Sequence, residues 1–259
     1  MISPTNMTQF AGVKKFNKHV LTEYYQYELL DSIYQQKGSE HLCFHGGTAI
    51  RIVYGSRRFS EDLDFDTDKI MIFDSLLREV VKDMESKGFD IEFRLIHKDA
   101  YHCHIKFPHV LKELGLSGYG EEKLLIKVDA APVRHLTANP ALLNNYAIFR
   151  NINVSPKDII LAKKLITIES RHRPKGRDLY DVTWLWGMTT PSLQYIKQTA
   201  KIDLKTLLTQ VFDYTKKLDL NQLASETTRF LVNPGDINRI LQFPEFIKQE
   251  LTKLSENNR

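Results

Sequence analysis

Asp62, Asp64 and Asp66 occur at every second position in the run "SEDLDFDT", with apolar Leu63 and Phe65 between them. In an extended strand alternate side chains share a face, so the three carboxylates line one side and Leu63 and Phe65 the other. Like charges about 7 Å apart along one strand repel. A divalent cation removes that repulsion, and magnesium is commonly held by one or two carboxylates together with substrate phosphates. A solvated acidic edge is the alternative, because aspartate is ordinarily exposed. A second alternating run, "KLLIKVDAA", puts Leu124, Ile126 and Val128 on one face and Leu125, Lys127 and Asp129 on the other. As a neighbour of the first strand it would bring Asp129 to the same metal, the grouping that two-metal phosphoryl chemistry needs. Lys127 shares that face, where it offsets the acidic charge or touches phosphate.

Gly46 and Gly47 follow the strand-like "HLCFH" and precede "TAIRIVYG", which reads as a helix. Glycine lets the backbone approach a ligand closely, and N–H groups at a helix start attract phosphate. Thr48 adds a hydroxyl there. The spacing is not that of a P-loop, since no lysine and Ser/Thr pair follows. Arg57 and Arg58, in "YGSRRFSED", stand beside these groups and would meet a triphosphate or neutralise the carboxylates. Further on, "RHRPKGRDLYD" sets Arg171, Arg173, Lys175 and Arg177 ahead of Asp178 and Asp181. Such clusters suit a phosphate backbone. Asp178 either caps the helix that follows or takes a catalytic or arginine-orienting part. In "DIILAKKLITIES", 100° per residue sets Lys164 between Ile160 and Ile168, and Lys163 with Thr167 and Ser170 on a polar face. A lysine placed like Lys164 snorkels at the helix edge or points into a cleft.

The elements that must hold these groups are legible in outline. "NKHVLTEYYQYELLDSIYQQKG" has helical spacing and ends at Gly38, a C-terminal cap. "IMIFDSLLREVVKDMESKG" is a second amphipathic helix, and "FDIEFRLIHKDAYHCHIKF" divides into a hairpin around "KDA". After about residue 155 the alternation fades and the segments read as helices. The expectation is an α+β domain over residues 1–150 followed by a helical domain over 151–259. The 259 residues are 42% hydrophobic and 26% charged, ordinary for a globular protein. No apolar run reaches the ~18 residues of a membrane span, and the N-terminal residues lack a secretory core, so a cytoplasmic protein is expected. A net charge of +4 permits a nucleic-acid partner without requiring one. Cys43 and Cys103 read as buried free thiols. His102 and His104 alternate along a strand. Such a pair can bind zinc, but without a further ligand at clear spacing they read as a solvated strand face. Asp66 reads as a solvated neighbour, His45 as a strand-end residue, and Trp184 and Trp186 as helix packing.

Taken together, "HGGTAIRIVYGSRRFSEDLDF" resembles the first motif of the nucleotidyltransferase fold shared with polymerase beta. In detail it is similar to the AbiEii-type nucleotidyltransferase toxins of bipartite bacterial toxin–antitoxin systems. "IKVDAA" and "LAKKLITIESRHRPKGRDLYDV" extend the resemblance, so its motifs span residues 42 to 185. The resemblance implies a nucleotidyltransferase-like mixed sheet with flanking helices and a helical C-terminal domain. It implies that Gly46, Gly47 and Thr48 hold the triphosphate of an NTP and that Asp62 and Asp64 bind Mg²⁺. Asp129 would be the third carboxylate, which helps deprotonate the incoming hydroxyl. Lys164 matches a family lysine that faces the nucleotide, and Asp178 a family aspartate needed for activity. The acceptor implied is RNA, most plausibly tRNA, and the partner a cognate antitoxin. A catalytically inactive nucleotide- or RNA-binding protein and a metal-dependent phosphodiesterase are the alternatives.

Overall fold

The computed structural model describes residues 2–97, 101–119 and 121–256. The chain forms two compact units, Met1–Gly55 with Phe59–Ser155, and Ser56–Arg58 with Pro156–Arg259.

The first unit holds α1 (Pro4–Phe10), α2 (Lys18–Gln35), β1 (Leu42–His45), α3 (Gly46–Ile52), β2 (Leu63–Thr67) and α4 (Phe73–Ser86). It continues with β3 (Glu92–His97), β4 (Tyr101–Phe107), α5 (Val110–Glu113), β5 (Leu124–Pro132), β6 (Asn139–Asn145) and β7 (Ile148–Val154). The strands form one mixed sheet in the order β3-β4-β5-β2-β1-β7-β6. β2 runs parallel to β5 and β1 parallel to β7, whereas the other described pairs are antiparallel. The expected mixed sheet is therefore present.

Alternation decides which face of the sheet is covered. Leu63, Phe65, Cys103, Ile105, Ile126 and Val128 are buried. Each buried Leu, Phe, Ile or Val side chain contributes about 1.5–3 kcal/mol through its removal from water. α2 packs on α4 and lies against β5 and β7. Asn17 caps α2 by accepting from the N–H groups of His19 and Val20. α4 turns Leu76, Leu77, Val80 and Met84 inward. The β3–β4 hairpin forms as expected, and its "KDA" turn lies outside the described residues.

The β6–β7 hairpin is a feature the sequence reading does not contain. Its turn residues Tyr146 and Ala147 have φ of 53° and 61°. Such a two-residue turn normally draws Asn-Gly. Burial compensates for the backbone cost here, since Tyr146 is buried and its hydroxyl donates to Glu23 at 2.8 Å.

The second unit is helical: α6 (Lys157–Ser170), α7 (Gly176–Trp186), α8 (Leu193–Thr199), α9 (Leu204–Thr215), α10 (Leu220–Thr228), α11 (Asn238–Leu241) and α12 (Phe243–Glu256). Ser192, Asp203 and Asp219 cap α8, α9 and α10. Trp186 packs edge-on against Phe246, and Trp184 stacks on Tyr180. Cys43 and Cys103 are buried and form no disulfide among the described residues. No described helix is long and apolar enough to cross a membrane.

Candidate active site

One row of side chains crosses four strands on the open face of the sheet. Asp64 of β2 is in register with Asp129 of the parallel strand β5. Asp129 is in register with His102 of β4, and Asp64 with His45 of β1. Parallel pairing of "LDFDT" with "VDAAP" sets both aspartates at one level, because Leu63 and Val128 both face the core. Neighbouring strands lie about 4.8 Å apart, so the two carboxylates arise side by side.

Three local contacts shape this row. His102 Nδ1 donates to Asp129 Oδ1 at 2.9 Å. The sequence reading assigns His102 to a solvated face; the strand pairing that brings it to Asp129 is not visible there. Gly46 has φ of +78°, and a Cβ built on it would fall 2.1 Å from Asp64 Oδ2. Glycine is thus required both by the backbone and by the carboxylate seated against it. Thr48 is fully buried and its hydroxyl donates to the Asp62 carbonyl. In the structure this hydroxyl anchors the residue that enters β2.

Asp66 also departs from expectation. His45 Nε2 lies 3.3 Å from its Oδ1, and its side chain is only 14% exposed, so it is a partnered residue and not a solvated one.

Asp62, Asp64 and Asp129 do not form a ready-made three-ligand cluster. Among the described residues no three His, Cys, Asp or Glu side chains are grouped to hold a metal ion. Asp129 turns one oxygen to His102, and Asp64 lies against Gly46. Two in-register carboxylates still fit magnesium, which takes one or two protein carboxylates and completes its shell with phosphate and water.

The second unit gathers other residues singled out in the sequence. Lys164 Nζ bridges Asp178 Oδ1 and Asp181 Oδ2, each at 2.8 Å. Arg171 Nη1 reaches Asp178 Oδ2 at 2.7 Å. Arg58 donates to both oxygens of Asp181, at 2.9 and 2.8 Å. Burial alone would push the Asp178 carboxyl up, but Lys164 and Arg171 outweigh it and hold the group below the usual carboxylate range. Burial likewise works against the Lys164 charge, and Asp178 and Asp181 overcome it, so its ammonium is held more firmly than usual. Lys164 and Asp178 each keep their charge because of the other and its ion-paired neighbours.

This network corrects several expectations. Arg58 is 2% exposed and bound to Asp181, so it is not placed to meet a triphosphate; Arg57 is exposed. Of the two parts weighed for Asp178, the contacts fit the arginine-orienting one: it makes no capping hydrogen bond and pairs with Lys164 and Arg171. Lys164 does not snorkel, because its ammonium is tied to Asp178 and Asp181. In the basic loop, Arg171 serves Asp178, and Arg177 sits 5.1 Å from the Phe230 ring centroid. Arg173 and Lys175 are exposed. Lys127 is exposed on β5, two residues from Asp129 and on the same face.

Comparison with known proteins follows the same line. The family model described as "Nucleotidyl transferase AbiEii toxin, Type IV TA system" matches residues 28–254. The crystal structure of JHP933 from Helicobacter pylori is similar, with a TM-score of 0.53 and 17% identity, covering 92% of this chain and 95% of that one. A second H. pylori structure, described as a candidate nucleotidyltransferase, gives 0.51 and 18%, covering 89% and 96%. No curated protein matches the chain.

Proposed function

The chain belongs to the AbiEii family of nucleotidyltransferase toxins, and from that premise we propose that it moves a nucleotide from an NTP to a tRNA acceptor. The reading is carried by one observation, the in-register Asp64–Asp129 pair on the open sheet face beside Gly46.

In this reading Asp64 and Asp129, with Asp62 anchored through its carbonyl by Thr48, would hold Mg²⁺ together with the triphosphate. When bound, magnesium neutralises charge on the phosphates and on the departing pyrophosphate. Gly46 keeps the backbone clear of Asp64, so the carboxylate and the start of α3 lie close together near the phosphates. Asp129 accepts the proton of the acceptor hydroxyl. The hydroxyl oxygen bonds to the α-phosphorus as the bond to the β-phosphate bridging oxygen breaks, and pyrophosphate leaves. His102 fixes the orientation of Asp129 for that proton transfer. Positioning and charge neutralisation supply most of the rate. Lys164 and Asp178 act in the helical unit, where their mutual charges keep both ionised. The protein works in the cytoplasm and is restrained by a cognate antitoxin.

Incubation with labelled NTPs, Mg²⁺ and total RNA tests the reading. Covalent label on RNA, lost in Asp64→Ala and on chelation, is expected. An Asp64→Ala protein that labels RNA at the wild-type rate overturns it, as does release of label from RNA in place of its addition.

A further inference from the structure

The open face of β3, β4 and β5 carries a second in-register row, two residues along from the aspartate row. Arg94 of β3 pairs with His104 of β4, and His104 with Lys127 of β5. Three basic side chains thus stand side by side on strands about 4.8 Å apart. Like charges placed opposite one another destabilise a sheet. The crowding acts on His104: burial, Lys127, Lys106 and Arg94 hold its imidazole below its usual range, against the opposite pull of Asp129. Nearby acids do not resolve it. Glu92, the register partner of Lys106, is bound by Lys123. Among the described residues neither Arg94 nor Lys127 has a carboxylate within ion-pair distance, and both are exposed.

Arg94 and Lys127, without a carboxylate at ion-pair distance and flanking an imidazole held toward its neutral form, make a surface shaped for an anion from outside. We propose that this row is the phosphate track for the RNA acceptor, with the phosphodiester backbone crossing β5, β4 and β3 and its reacting end at Asp64 and Asp129. The proposal rests on the nucleotidyl-transfer reading above. Continuity supports it: Lys127 and Asp129 share a face of β5 about 7 Å apart, so the track ends at the carboxylates. Length supports a polymer over a single triphosphate. Arg94 lies three strands from β2, roughly 14 Å across the sheet, beyond the reach of three linked phosphates held at Asp64. The basic loop of residues 171–177 is the weaker candidate, since Arg171 is tied to Asp178 and Arg177 lies on Phe230.

The test compares full-length wild type with the double variant Arg94→Gln/Lys127→Gln. Binding of a 5′-labelled tRNA is followed by fluorescence anisotropy across a salt series, without NTP, and transfer kinetics are measured separately. Each lost phosphate contact lowers the log–log salt slope by about 0.7–0.9, so the double variant loses about 1.4–1.8. KM for RNA rises while KM for NTP stays constant, with a melting temperature unchanged or raised. An unchanged slope overturns the proposal, as does a rise confined to the NTP KM. Weakened antitoxin binding with unaltered RNA binding also overturns it, by assigning the row to a protein partner. The binding arm needs no catalysis. Absent transfer by wild type therefore counts against the enzymatic reading, and an unaltered salt slope counts against the track.

Discussion

His102 Nδ1 and Asp129 Oδ1 lie 2.9 Å apart, joined across a register pair of β4 and β5. The imidazole N–H fixes one carboxylate oxygen and leaves the other for chemistry. Partners of this kind typically contribute 10–100-fold to metal affinity or activity. His102→Ala should lower kcat by about that factor with little change in the NTP KM. His102→Asn, which retains an N–H donor, should recover part of the loss. A purely structural histidine would shift melting temperature and leave kcat per folded molecule intact, and that result would refute the assignment.

Gly46→Ala offers a sharper probe. The new methyl would fall 2.1 Å from Asp64 Oδ2, and φ is +78°. The backbone strain alone costs about 1–2 kcal/mol. Displacement of Asp64 adds a loss of transfer that strain does not explain. Gly12 is the control, since it has φ of +67° and a methyl placed there would meet nothing within 4 Å. Gly12→Ala should destabilise to a similar degree and leave activity per folded molecule unchanged. Equal activities in the two variants would show that Asp64 does not depend on the space over Gly46.

These two sites also mark what the sequence discloses. The shared face of Asp64 and Asp66 follows from Leu63 and Phe65 alternating with them, because burial enforces period two. The face of Asp129 follows likewise from Ile126 and Val128. Pairing partners are a different matter. His102 meets Asp129 at a separation of 27 residues, and Arg58 meets Asp181 at 123. Neither spacing follows a local period, so in the sequence Arg58 reads as meeting a triphosphate or neutralising the nearby carboxylates, and its pairing with Asp181 is not visible. The β6–β7 hairpin is hidden for another reason: Tyr146 and Ala147 carry positive φ without glycine or asparagine, and tertiary burial of Tyr146 overrides turn propensity.

Thr48 separates positioning from phosphate contact. Its buried hydroxyl donates to the Asp62 carbonyl. Thr48→Val keeps the shape and removes the donor, so the Asp62 carbonyl loses this hydrogen bond at a cost of about 1–3 kcal/mol. Thr48→Ser keeps the donor. Transfer should fall in the valine variant and largely persist in the serine variant. If both lose activity with an equal rise in NTP KM, the side chain acts on substrate after all.

The charge network of the helical unit should be stabilising and pH-dependent in a definite direction. Breaking a buried pair strands a charge and costs about 3–5 kcal/mol, so Arg58→Met, which leaves Asp181 to Lys164 alone, should cost stability on that order. The Asp178 carboxyl is held below its ordinary 3.8, so its contribution is complete above that value and disappears as pH falls through the lower folded-state value. Lys164 is held above its ordinary 10.5, so its contribution is complete below that value and is lost only as pH rises past the folded-state one. Between those limits the network contributes a constant amount. Asp178→Asn should therefore be less stable than wild type by a fixed margin across neutral pH. That margin should narrow only in acid below pH 3.8, where wild-type Asp178 takes up its proton. Denaturant unfolding of the two proteins at a series of pH values measures the margin directly. A margin unchanged down to full protonation of Asp178 would show that its charge contributes nothing to holding the helices together.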